Sequence, residues 1–331
     1  MDKKPLEFRI AETHAVMKAL TICWRNISTM NGYWNAVAHE FSADDVRLMH
    51  LCDIRYAIEP EQQSIALIRL AEADASENSL RDPAAIAIRE LSQTTLGLRH
   101  ANSNLLMLNF AALFSNRKEK EQQLVQNIKR EINQYQDSVQ DIDFLLQMAL
   151  LYGYQMHPDH RLKYRDVVAA YYVNFRLSET GMIAQPFLPL GFIFSGKNRL
   201  ISGLLQEGFE TGNLQAWCIY FIEQLGNAAA YRLYQLQNIV QLKRTLSDII
   251  GKYTAYPMPY AELTTLLTGR IFIKIGQLTE ALDCHRQTAA AYLHHLCELG
   301  VLAEKKSGRE KLYFHKKLFD ILAENPFSVM D

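Results

Sequence analysis

FIKIGQLTEALDCHRQTAAAYLHHLCELGVLAEKKSGREKLYF, residues Phe272–Phe314, is the most strongly patterned stretch of the chain. Phe272 to Gly276 is a short apolar run, and Gln277 to Asp283 predicts a short helix. Cys284-His285 turns the chain into a second predicted helix, Arg286 to Leu299, which stops at Gly300. A glycine there suits the left-handed residue that ends helices. Val301 to Ala303 and Leu312 to Phe314 predict two strands, joined by the charged link Glu304 to Lys311 with a Ser307-Gly308 hairpin tip. Ala281, Leu282, Ala289 and Ala290 are expected to keep the two helices close, with Leu293 and Leu296 facing a core. Together these elements make a winged helix-turn-helix pattern within Ala261 to Leu322.

In such a module the N-terminal residues of the second helix approach base edges, and wing cations approach phosphate. The candidate DNA-binding residues are therefore Arg286, Gln287, Thr288, His294, His295, Lys305, Lys306, Arg309 and Lys311. From Pro257 onward nine Lys and Arg residues face nine Asp and Glu residues, so the charge that favours DNA is local rather than general. A protein-interaction or packing module remains the other reading of the same pattern.

Upstream, Gly251, Pro257 and Pro259 mark a boundary, which gives a C-terminal domain of residues 257–331. Before it, nearly every long segment has helical periodicity. Leu214 to Ile250 places Trp217, Phe221, Leu225, Tyr231, Tyr234, Ile239, Leu242 and Leu246 on a drifting stripe that suits either an intrachain core or a homodimer seam. Asp82-Pro83 to Asn116 predicts another helix, and Lys118 to Gln136 a charged one. Residues 1–80 read as an N-terminal helical region and 81–252 as a helical core. The fold class expected is mainly α, with a small α+β domain at the C-terminus.

Composition excludes extremes. In 331 residues the hydrophobic fraction is 49% and the charged fraction 21%, with a formal net charge of -1. These are values of an ordinary globular protein. No run resembles a signal peptide or a spanning segment, so a cytoplasmic location with no membrane partner is expected. Cys23, Cys52, Cys218, Cys284 and Cys297 have no metal-finger spacing and are expected to be reduced core residues.

A second stretch carries chemical interest: DIDFLLQMALLYGYQMHPDHRLKYRDVV, Asp141 to Val168. An apolar helix here delivers His157-Pro158 to a loop that leads into another helix, a fitting place for a general base and an anion. His160, Arg161, Leu162, Lys163 and Tyr164 nevertheless offer neither glycine nor acid. Tyr171, Tyr172 and Phe175, at helical spacing, are expected in the core, and Phe192 and Phe194 are expected to pack the following loop.

Four segments carry a family resemblance: LLYGYQMHPDH at Leu150 to His160, GMIAQPFLPLGFIFSGKNR at Gly181 to Arg199, GNLQAWCIYFIEQL at Gly212 to Leu225, and RQTAAAYLHHLCELGVL at Arg286 to Leu302. From about Phe144 to the C-terminus the chain resembles the Fic (Fic/Doc) proteins. That resemblance implies a Fic-like helical bundle followed by a small winged-helix domain. Active members transfer AMP or a related group onto a protein hydroxyl through the motif HPFx[D/E]GNGRxxR. His157 and Pro158 match its opening, and Arg165 matches its first arginine.

The remaining constrained positions depart from the motif. Asp159 replaces the phenylalanine, Arg161 the metal-binding acid, Leu162-Lys163-Tyr164 the Gly-Asn-Gly, and Val168 the final arginine. An arginine cannot hold magnesium, so magnesium is not expected. Leucine and tyrosine restrict the backbone approach that glycine permits. Arg161, Lys163 and Arg165 remain as side-chain ligands for phosphate, with ATP the donor that the resemblance implies and His157 a remnant general base. Arg55 to Pro60 only faintly echoes the family's inhibitory helix, and Glu59 finds no arginine at Val168. No target-positioning flap is evident between Leu98 and Asp141.

The resulting expectation is a noncatalytic Fic-like protein that acts by binding a protein or duplex DNA, in transcriptional regulation. The alternative is a Fic-type protein adenylyltransferase with an atypical, metal-poor motif.

Overall fold

The structure is a computed structural model that describes residues 13–58, 68, 71, 142–156, 165–194, 197–253, 259–307 and 310–323. The predicted helices at 82–116 and 118–136, and Glu59, lie outside the described residues. Those described are mostly helical: α1 (His14–Val37), a 3-10 turn (Ala38–Glu40), α2 (Ala43–Ile58), α3 (Phe144–Gln155), α4 (Arg165–Glu179), α5 (Leu190–Phe194), α6 (Asn198–Thr211) and α7 (Gln215–Tyr253). The order continues as α8 (Tyr260–Thr268), β1 (Phe272–Ile273), α9 (Ile275–Leu282), α10 (Arg286–Glu298), β2 (Ala303–Ser307), β3 (Glu310–Phe314) and α11 (Lys316–Ala323). The mainly α class with a small α+β C-terminal part is as expected. No described helix is long and apolar enough to cross a membrane.

The chain divides into two compact units, Met1–Tyr33 with Gly97–Arg232, and Trp34–Leu96 with Leu233–Asp331. In the first, α3 is central because FLLQMALLYGYQ is apolar almost all round, as a fully enclosed helix must be. The Asp143 carboxylate caps it by accepting the Leu145 N–H at 2.8 Å. Tyr152 packs its ring 4.8 Å from Phe194 and 5.4 Å from Phe221. Phe194 is thus part of the core rather than packing for the following loop. One turn of α3 approaches α7 closely: Trp217 Nε1 donates to the Ala149 carbonyl at 2.7 Å, and a Cβ on Gly153 would lie only 2.8 Å from that indole nitrogen. Tyr171, Tyr172 and Phe175 are buried, as expected.

In the second unit, α8, α9 and α10 enclose a core with a three-stranded antiparallel sheet of order β1-β3-β2. Leu278, Ala289, Leu293 and Leu296 are fully buried. The α9 contribution comes from Leu278, whereas Ala281 is exposed and Leu282 half-buried, because the short helix turns those two away from the core. Gly300, with φ 71°, ends α10: its N–H bonds to the Cys297 carbonyl at 3.0 Å, and that of Val301 to Leu296 at 2.9 Å. These are the paired bonds of a Schellman ending, which satisfies the last helical carbonyls.

Strand positions differ from the sequence expectation in register. Val301 and Leu302 are buried but belong to the helix ending, and β2 begins only at Ala303. The charged residues expected in a joining loop are instead paired strand residues, since only Gly308 and Arg309, outside the described residues, separate β2 from β3. On one side of the sheet Tyr313 meets His294 of α10 edge-on, and on the other Phe314 meets Phe319 of α11 at 5.1–5.4 Å spacings that also include Phe272.

This unit also includes α2. Arg270 bonds Asp44 at 3.2 Å, and Lys243 of α7 pairs with Asp45 at 2.7 Å in a buried position that Ser42 completes through two bonds to the same carboxylate oxygen. All five cysteines are free. Burial pushes the Cys23 and Cys218 thiols up to about 12, which makes them unreactive. Cys284 and Cys297 are half-buried and so do not fit the expectation of core residues.

Candidate functional site

The first candidate site is the connection from α3 to α4. Helix α3 ends at Gln155 and α4 opens at Arg165, so the two helices that the sequence anticipates are present. His157, Arg161 and Lys163 lie outside the described residues, as does the side chain of Arg165. The irregular segment between α4 and α5 is held by side chains from three helices: Asn31 of α1 donates to the Met182 carbonyl at 2.6 Å and accepts the Ala184 N–H at 3.1 Å. Asn174 of α4 spans both backbone groups of Leu188, at 2.8 and 2.9 Å. Arg232 of α7, fully buried, donates Nε to the Phe187 carbonyl at 2.7 Å and sits 5.5 Å over the Phe187 ring.

A buried amide that both donates and accepts satisfies backbone groups that irregular structure would otherwise leave unpaired. The segment between α4 and α5, which contains Gln185 and Pro186, is therefore a fixed wall of the first unit. Nearby in chain order, Lys197 donates to Gln224 Oε1 at 2.9 Å, and partial burial lowers the lysine below its ordinary value. No group of three or more His, Cys, Asp or Glu among the described residues could hold a metal.

The second candidate site is the outer face of α10 with the hairpin. Arg286 and Gln287 are exposed at the helix start, Thr288 is half-buried, and Ala289 directly after them is anchored in the core. His294 is exposed and touches the Tyr313 ring edge-on at a centroid distance of 6.1 Å. His295 is engaged by Glu298 at 3.1 Å within the same helix.

Strand alternation divides the hairpin cations between faces. Lys305 pairs with Leu312 in register, and its ammonium lies 5.3 Å over the Phe272 ring. Glu304, Lys306, Lys311 and Tyr313 share the opposite face, on which Tyr313 meets α10. There Lys311 and Glu304 form an ion pair at 2.8 Å. The hydrogen bond from Lys311 lowers the Glu304 carboxyl, and the reciprocal bond raises Lys311. Arg309 is outside the described residues.

Sequence reasoning missed the Glu304–Lys311 partnership and the three clamps. For the former a signal existed: with Ser307 paired to Glu310, strand alternation places Glu304 opposite Tyr313 and hence diagonal to Lys311. For the clamps no local signal exists, because Asn31, Asn174 and Arg232 are far from their partners in sequence.

Residues 254–318 match the family model described as protein adenylyltransferase SoFic-like, C-terminal domain. Fic family membership, the class that the sequence resembles, is supported by this match, which lies in the C-terminal part of the chain. Among solved structures, a crystal structure of a Fic family protein from Desulfovibrio desulfuricans G20 is similar over 94% of this chain and 98% of its own, at 10% identity and a TM-score of 0.47.

Proposed function

We propose that this is a noncatalytic Fic-related protein of the cytoplasm that acts by binding, and that residues 257–331 form a winged helix whose α10 enters the major groove of duplex DNA. The observation that carries the reading is the start of α10. Arg286 and Gln287 are exposed in the first turn of a helix whose Ala289, Leu293 and Leu296 are anchored in the core. An arginine there suits guanine and a glutamine suits adenine, each through paired hydrogen bonds. Loss of catalysis is supported by Arg161 at the metal-acid position and by Leu162-Lys163-Tyr164 in place of Gly-Asn-Gly. A two-fold dimer would set two such helices on neighbouring half-sites.

Fluorescence anisotropy of the full chain with labelled duplex DNA tests the proposal. Binding that weakens steeply as salt rises from about 50 to 200 mM is expected, and no binding to a mixed-sequence duplex pool at low salt would end it. A second reading, AMP transfer from ATP to a protein hydroxyl, follows from the description of the matching C-terminal family as that of an adenylyltransferase. In that reading His157 is the base, with Arg161, Lys163 and Arg165 on the phosphates. Label transfer from ATP that disappears in His157→Ala would establish it over the noncatalytic one.

A further inference from the structure

The hairpin carries a carboxylate where a phosphate-binding wing gains nothing from one. Glu304 lies on the same face as Lys306 and Lys311, the face on which Tyr313 meets α10. It holds Lys311 at 2.8 Å, with both side chains substantially open to solvent, at 38% and 53% exposure. Such an exposed pair adds little to stability, so its main consequence is the local field. On that face His294 of α10 meets Tyr313, the residue that Glu304 opposes in the sheet.

We propose that Glu304 is a specificity-determining residue for duplex DNA. It withholds Lys311 from phosphate and places negative charge between the hairpin and α10. This inference rests on the DNA-binding reading above. The charged groups on this face are Glu304, Lys306 and Lys311 from the hairpin, with His294 from α10 beside them; His295 and Glu298 farther along α10 pair with each other. Lys305 belongs to the opposite face, with its ammonium over Phe272. With Lys311 occupied, Lys306 is the cation left without an ion pair on this face of the hairpin among the described residues, and Arg286 is exposed at the start of α10. Sequence-independent attraction is thereby kept small, and binding depends on the base contacts of Arg286 and Gln287.

Removing the carboxylate converts the hairpin to an ordinary basic wing. The test compares the full chain as wild type, Glu304→Gln, Lys311→Gln and the double variant, on a random-sequence duplex between about 50 and 200 mM salt. Glu304→Gln should bind about fivefold to tenfold tighter at the lowest salt, with a log–log salt slope steeper by about 0.9, the signature of one more neutralised phosphate. Lys311→Gln should leave the slope unchanged in the wild-type background. In the Glu304→Gln background it should remove the gained affinity and slope. Both substituted positions are exposed, and matching thermal unfolding curves confirm equal folding.

If the wild type binds and Glu304→Gln shows the same affinity and slope, the role of Glu304 is overturned while DNA binding stands. If neither protein binds at the lowest salt, the DNA reading falls, and this inference with it.

Discussion

The segment between α4 and α5 and the β2–β3 hairpin both carry polar side chains beside short, non-helical backbone, yet they spend them in opposite ways. Around Phe187 and Leu188 the polar groups point inward: Asn174 and Arg232 are buried and bond to main-chain groups. On the hairpin the backbone satisfies itself through the ladder, so Glu304, Lys305, Lys306 and Lys311 remain available to face solvent, a ring or one another. Irregular backbone in a core consumes side-chain hydrogen bonds, whereas a strand pair releases them for recognition. The first region is a fixed wall; the second is an adjustable charged surface.

The largest effect that would sharpen this contrast comes from the buried core of the first unit. Trp217→Ala removes a buried indole and its bond to Ala149, and should cost about 4 kcal/mol in urea unfolding. A loss below about 1 kcal/mol would break the picture of a rigid core around α3.

His315, at the joint of β3 and α11, tests the interior of the second unit. It is fully buried, its Nδ1 accepts the Leu318 N–H at 3.4 Å, and Nε2 has no hydrogen-bond partner among the described residues. Burial first, and then the charge of Lys317, pushes its pKa down from 6.5 to about 4. The folded state therefore resists protonation more than the unfolded state does. The contribution is fully present above pH 6.5 and is lost as pH falls toward 4. The total is about 3 kcal/mol. In His315→Asn, which keeps a capping acceptor but does not titrate, the dependence of unfolding on pH over that window should shrink by this amount. An unchanged pH profile would mean that the imidazole is not held neutral.

The smallest effect concerns the outward surface. Arg286→Ala should weaken binding to a selected duplex about tenfold and relax base preference at one position. Equal weakening on all sequences would reassign Arg286 to phosphate and make α10 part of the non-specific surface.

Much of the C-terminal module is legible in the chain. Gly300 marks the end of α10, and Leu293 and Leu296 its buried side, each through a local stereochemical requirement; Ser307, expected at the hairpin tip, is instead the last residue of β2, paired with Glu310. What misleads is the boundary between apolar and extended: Val301 and Leu302 are apolar because they close the helix against the core, not because they pair in a strand. In the other candidate site, local sequence identifies α3, α4 and the departures from the family motif. His157 to Tyr164 are read from sequence alone.

By itself the sequence determined the helical periodicity, the turn residues and which residue types stand at Arg161 and Leu162-Lys163-Tyr164, because each depends on a residue and its near neighbours. Tertiary structure decided which polar groups are spent inside. Asn31 with Met182, Asn174 with Leu188 and Arg232 with Phe187 are partnerships that only packing creates. It also decided that Lys311 is held by Glu304 while Lys305 lies over a ring on the opposite face. A run of like charges carries no sign of which members are neutralised until the strand register assigns them to faces.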